Sequence, residues 1–257
     1  MTFNNFLQVA GMLVIPFLIV YLPIVIGHRY GIYRVKKSPE LQQNAVGSVV
    51  GAAFGLLAFM LAFTFQIAAN RFDARKELLL EEVTNIRTVY LRAGLIPEPI
   101  RSETKKLLVE YVDLRIDLAN DFSKIESAMT RSQEILDIFW GYSETLAQQD
   151  RSSEVYALYT TSINDLVNNF NHRITMTLEY RIPPAVIWVL VIIAFFSMLT
   201  LGYQFGISGK GSFSINLLLA FIFALVMFLI LILDHPELRI SRINQKPMIT
   251  LQHQLSN

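Results

Sequence analysis

Four stretches of the chain carry apolar residues long enough to cross a bilayer: residues 6–26, 46–69, 185–206 and 213–233. None of them contains Asp, Glu, Lys or Arg. The second does not end at the membrane boundary. Gly47 to Ala69 is free of charge, Arg71, Asp73, Arg75, Lys76 and Glu77 follow, and apolar positions continue at Leu79, Val83, Ile86 and Tyr90. Steps of four, three and four keep one helical face apolar, and no breaker intervenes. At about 1.5 Å per residue, a helix from Gly47 to Ala93 far exceeds a ~30 Å hydrocarbon core. The pattern therefore predicts one helix that crosses the membrane and continues into water.

Beyond Ala93, Gly94-Leu-Ile-Pro-Glu-Pro99 breaks that helix, since each proline disfavours a helical conformation at the residue before it. A second soluble helix follows with Leu107, Tyr111, Leu114, Leu118 and Phe122 on one face. A third carries Ile135, Phe139, Tyr142 and Leu146. A fourth, over residues 153–180, carries Tyr156, Tyr159, Ile163, Leu166, Phe170, Ile174 and Leu178. Short polar connections near residues 123–126 and 148–151 suit antiparallel neighbours. Ile182-Pro183-Pro184 marks re-entry, and residues 207–212 turn a two-span hairpin.

The fold class predicted is an all-α membrane protein: four transmembrane helices with a helical bundle inserted between the second and third. Its parts are a first transmembrane pair (1–69), a soluble bundle (70–182), a second hairpin (183–234) and a C-terminal tail (235–257). The first span has no basic residue before Arg29 and no small-residue cleavage site after it. It reads as a retained span bent by Pro16 and Pro23, not as a signal peptide.

Composition agrees, with 53% hydrophobic and 17% charged residues, unlike an ordinary soluble domain. Charge-free spans argue against a proton relay within the bilayer. Asn216, Gln66, Gln204 and Asn70 read as interhelical or interfacial hydrogen-bonding groups. Without cysteine there is no disulfide or thiolate metal site, and a net charge of +1 argues against nucleic acid. Nine basic residues lie near the membrane ends on the side of residues 70–182, against five opposite. That bias favours a plasma-membrane protein (the inner membrane, if bacterial) with bundle and both termini in the cytoplasm.

Catalytic chemistry is absent from the pattern. His28, His172, His235 and His253 show no metal-binding spacing. Gly209-Lys-Gly-Ser212 lacks the strand and full glycine pattern of a phosphate loop and reads as a turn. Glu81 and Glu82, on the long helix with Arg87, read as a solvated or ion-paired face. No catalytic residue, metal or cofactor is expected.

The second span repeats at four-residue steps: Gly47, Gly51, Gly55, Phe59, Phe63. Each step drifts the ladder about 40° around the helix. The glycines would admit a close helix. The phenylalanines would either pack against other spans or lipid, or form a hydrophobic constriction around an axis.

The run Leu61-Ala-Phe63-Thr-Phe-Gln-Ile-Ala-Ala-Asn-Arg71-Phe72-Asp-Ala-Arg75 resembles the second transmembrane helix of bestrophin channels, where a Leu-Gly-Phe step precedes Arg and an aromatic. The chain is still more similar to the bestrophin-like domain family, in Arg71-Phe-Asp-Ala-Arg75, Tyr90-Leu-Arg92, Leu95-Ile-Pro97 and Asp234-His-Pro236. The resemblance implies a pentameric ion channel whose neck would comprise Phe63, Phe59 and Gly55. Gly55 stands where a bulky apolar residue is expected and Ala62 replaces the usual glycine, so the neck would be shorter or wider at its outer end. Asp234 and Glu237 alone offer too few ligands for the calcium site of animal bestrophins. Gly47, Gly51, Gln66 and Asn70 are the accompanying pore or helix-packing candidates. The expected partners are the lipid bilayer, further copies of the chain and a permeating small ion. An alternative is a non-conducting scaffold or sensor whose bundle recruits a protein.

Overall fold

The computed structural model describes residues 3–37, 43–209 and 213–256. Among these, eight α-helices follow one another and no strand occurs: α1 (Phe3–Lys37), α2 (Gln43–Ala93), α3 (Ile100–Asn120), α4 (Ile125–Gln149), α5 (Glu154–Ile174), α6 (Pro184–Ser208), α7 (Phe213–Asp234) and α8 (Lys246–Ser256). Among the described residues, α1, α2, α6 and α7 are the four helices long and apolar enough to cross a membrane. Pro16 and Pro23 both lie inside α1, which continues through the basic residues to Lys37, well past the predicted end of the span. Gly209 closes α6 in the left-handed conformation, with φ of 65°. Lys210, Gly211 and Ser212 of the predicted turn lie outside the described residues.

The chain divides into two compact units, one of residues 1–72 and 181–241, the other of residues 73–180 and 242–257. In the first, α1 and α6 meet backbone to backbone. A side chain at Gly202 would collide with the Ile24 carbonyl, and one at Gly206 with the His28 carbonyl. Gly27 and Gly31 reciprocate against Leu199 and Tyr203. These are two facing Gly-x-x-x-Gly steps, where missing side chains let helices gain dispersion contacts that lipid could not supply better. The sequence pattern had pointed instead to the glycines of α2. Among the described residues of one chain no neighbour comes within 4 Å of a side chain built at Gly51 or Gly55, and Gly47 would touch Gln204 Nε2 alone, at 3.4 Å.

The second unit is a helical bundle around Ile86, Leu108, Phe139, Tyr159, Ile163 and Phe170, all essentially inaccessible. Ser153 caps α5, its hydroxyl accepting from the Tyr156 amide. That helix loosens into a π-turn over Thr175–Glu179 instead of running regularly to residue 180. Leu178, expected on its apolar stripe, has its side chain outside those described. In α3 the buried stripe is Thr104, Leu108, Tyr111, Val112 and Arg115, while Leu107, Leu114 and Leu118 are only half-buried and Phe122 sits beyond the helix. The stripe departs from the apolar pattern because two polar residues find partners inside. Thr104 Oγ1 hydrogen-bonds Tyr159 Oη at 3.0 Å, and Arg115 pairs with Glu82. The segment after residue 235 supplies α8, whose Met248, Leu251 and Leu255 complete the core. Arg242 donates to the Ala119 and Asn120 carbonyls, satisfying the open end of α3.

Glu82 is fully buried, whereas Glu81 is exposed. Its partners are not Arg87 but residues distant in sequence. Tyr111 Oη donates to Oε1 at 2.7 Å, Arg115 Nε stands 3.1 Å from the same oxygen, and Arg173 Nη1 contacts Oε2. Burial pushes the Tyr111 phenol up to about 12, so it stays a neutral donor over the ordinary pH range. Glu82→Gln leaves two arginines without their counter-charge. We expect it to destabilise the bundle by about 3–5 kcal/mol, the usual cost of breaking a buried pair from one side. Glu81→Gln should change stability by less than about 0.5 kcal/mol, as surface substitutions do. Thermal unfolding of the two variants in detergent separates them, and equal midpoints would contradict the assignment.

Candidate functional site

Along α2, one face is used by the chain and the other is not. Leu57, Leu61, Thr64 and Ala68 are buried. This side is pinned by a hydrogen bond from Ser197 Oγ to the Ala53 carbonyl at 3.1 Å, and by Phe54 packed edge-on against Phe223 at 5.7 Å. Thr64 returns its hydroxyl to the Met60 carbonyl at 2.7 Å, so it buries no unpaired donor.

The opposite face carries Gly51, Gly55, Phe59, Phe63, Gln66 and Asn70. Phe59 is 64% and Phe63 48% exposed, and their rings stack nearly parallel, 11° apart with centroids at 6.4 Å. One helical turn separates them, which places the second ring beside the first. Gln66 donates to Asn70 Oδ1 at 2.6 Å, again within α2. The two amides thus form a short polar rung one turn beyond the rings, and within one chain they bond to each other. Leu57, by contrast, lies wholly inside the core.

At the end of this spanning stretch, two sequence motifs meet. Arg71 Nε stands 3.2 Å from Asp234 Oδ1, which joins α2 to the last residue of α7. The Ile182 amide donates to both Asp234 oxygens, at 3.1 and 3.4 Å, and Arg181 Nη1 donates to the Asp234 carbonyl at 3.0 Å. A carboxylate at a helix C-terminus opposes the helix dipole, and Asp234 is buried as well. Arg71 and the Ile182 amide offset both costs. The knot holds α2, the entry to α6 and the exit of α7 together. Sequence reading missed it, although a lone acid closing a charge-free run was its signal. We expect Arg71→Gln and Asp234→Asn each to lower the melting midpoint. The double variant should show a coupling of at least about 1 kcal/mol, as contacting residues do. Additive losses in that cycle would mean that the two side chains do not act as a pair.

No cluster of potential metal ligands occurs among the described residues. Comparison with known proteins is consistent with the architecture. No functionally curated protein matches the chain. Two variants of a bacterial bestrophin homologue from Klebsiella pneumoniae superpose with TM-scores of 0.66 and 0.65. Both are 15% identical, and the match covers 96% of this chain with 95% and 97% of theirs. A structure described as a membrane protein aligns at a TM-score of 0.65 and 15% identity, covering 96% of this chain and 97% of its own. These likenesses show the shared fold. The profile of the Bestrophin-like domain matches residues 18–248, nearly the whole chain, and the protein belongs to the bestrophin-like domain family.

Proposed function

We propose that this chain is the subunit of an oligomeric ion channel in which the open face of α2 lines the path, with Phe59 and Phe63 as its hydrophobic constriction. The observation that carries this reading is the pair of large aromatic side chains left uncovered by their own chain on a membrane-length helix. Rings arranged about an axis exclude water from a narrow neck, and ions cross only when it wets or widens. Gly55, one turn earlier with open space around it, leaves the neck wider at that end. Gly47 and Gly51 extend the small-residue part of the face, and Gln66 and Asn70 offer polar groups beyond the rings. Membership of the bestrophin-like family and the fold shared with bacterial bestrophin homologues support self-association and conduction. Five subunits follow from the resemblance to bestrophins.

In liposomes, Phe59→Ala with Phe63→Ala should raise ion flux or abolish its gating while the assembly keeps its mass. Were the rings buried packing instead, the same change would cost about 3–5 kcal/mol per side chain and dissociate the protein without added flux. Leu218→Ala, at an exposed position of α7, is the control that should leave flux unaltered. Leu57 cannot serve, because emptying its buried site would perturb folding. Wild-type and double-alanine proteins that are equally impermeable, or a stable monomer in mild detergent, would favour the scaffold reading.

The basic-residue bias supports placing the bundle and both termini in the cytoplasm. In this cysteine-free chain, Gln149→Cys should resist an impermeant thiol reagent in intact cells and Lys37→Cys should react. The reverse pattern would overturn the orientation.

A further inference from the structure

A groove of about 450 Å³ opens in the first unit between the early part of α1 and the exit of α7. Its walls are apolar along Gly11, Met12, Pro16 and Leu231, and it becomes polar at His235 and Glu237. The change occurs where the charge-free run of α7 gives way to Asp234, as expected where a spanning segment leaves the hydrocarbon core. Among the described residues nothing lies within 4 Å of a side chain built at Gly11, so this wall of the groove is left open by the absent side chain.

Three potential acceptors belong to residues that line the groove. Pro16 has no N–H, so the Met12 carbonyl one turn before it lacks its helical donor, and both residues line the groove. His235 Nδ1 is 2.7 Å from the Leu231 carbonyl and donates to it, so Nε2 is the ring nitrogen that can accept. Glu237 adds a carboxylate, at one-third exposure, with Arg181 Nη2 3.3 Å from its Oε2. An ammonium group with three N–H donors complements three acceptors, and the neighbouring guanidinium suits a phosphate. The apolar walls extend this match to acyl chain.

We propose that this groove binds an aminophospholipid, its primary ammonium held by the Met12 carbonyl, His235 and Glu237 and its phosphate lying toward Arg181. The site is separate from the face of α2 and does not depend on conduction. Phosphatidylcholine has the same phosphate and tails, but its quaternary ammonium cannot donate. It should therefore be rejected.

The test is native mass spectrometry of the delipidated full-length protein titrated with phosphatidylethanolamine, phosphatidylcholine or free phosphoethanolamine. One phosphatidylethanolamine should be retained per chain, with phosphatidylcholine bound about tenfold or more weakly, as loss of charge-assisted hydrogen bonds produces. Glu237→Gln should remove most of that preference, and Gly11→Leu should abolish retention of lipid by filling the wall. Equal binding of both lipids would overturn the proposal, as would undiminished preference in Glu237→Gln. Free phosphoethanolamine binding as tightly as the lipid would show a small-amine site instead. Should Gly11→Leu fail to fold, Glu237→Gln decides alone, because its side chain stands at the rim. Efficient disulfide cross-linking of a Met12→Cys variant between copies would show that a second chain fills the groove, and would equally defeat the lipid assignment.

Discussion

In hydrocarbon, no water is available to pair a backbone N–H or C=O, so each spanning segment must satisfy its own. That constraint makes α1, α2, α6 and α7 helices whatever their individual propensities, β-branched residues included. It also explains why the two prolines of α1 are tolerated only with consequences: each withholds an N–H from a carbonyl one turn earlier. For α2 the constraint ends near Asn70, yet the helix runs on to Ala93 because its next stripe, Leu79, Ile86 and Val89, is buried in a soluble core. Two different solvents thus stabilise one rod, first by backbone satisfaction and then by hydrophobic burial.

Lipid gives apolar side chains no reason to associate, so helix contacts in the first unit rest on closeness and on a few polar bonds. The facing glycines of α1 and α6 provide the first. Ser197 to the Ala53 carbonyl, and the knot of Arg71, Asp234 and Ile182, provide the second. These contacts engage one side of α2 and leave Phe59 and Phe63 turned away. An exposed phenylalanine is unremarkable on a membrane helix. Two stacked rings in line with uncovered glycines and an amide rung form a face with a definite composition along its length.

Charge is handled differently in the second unit. Glu82 lies at its centre with two arginines and a tyrosine, although an apolar group of equal volume would often be no less stable. The network ties α2 to α3 through the Tyr111 hydrogen bond and the Arg115 ion pair, and to α5 through the Arg173 ion pair, and these partners cannot be exchanged by sliding a helix one residue. It thereby fixes register where stacked leucines and phenylalanines would tolerate alternatives.

The sequence by itself determined the all-helical class, the four spanning runs and the uninterrupted second helix. Each follows from periodicity and run length within a single segment. The Phe59 and Phe63 pair was legible for the same reason, as were the breaks at Gly94–Pro99 and at Pro183. What tertiary structure decided was every property that requires a second segment. Gly27 and Gly31 have the same spacing as Gly51 and Gly55, and only the position of α6 shows which pair is in contact. Glu81 and Glu82 are adjacent acids, and only the arrival of Arg115 and Arg173 makes one of them central. Thr104 is buried where Leu107 was expected to be, because Tyr159 meets it inside with a hydroxyl. A hydrophobic pattern records how much a residue gains by leaving water, whereas burial of a polar group depends on a partner whose distance in sequence carries no signal.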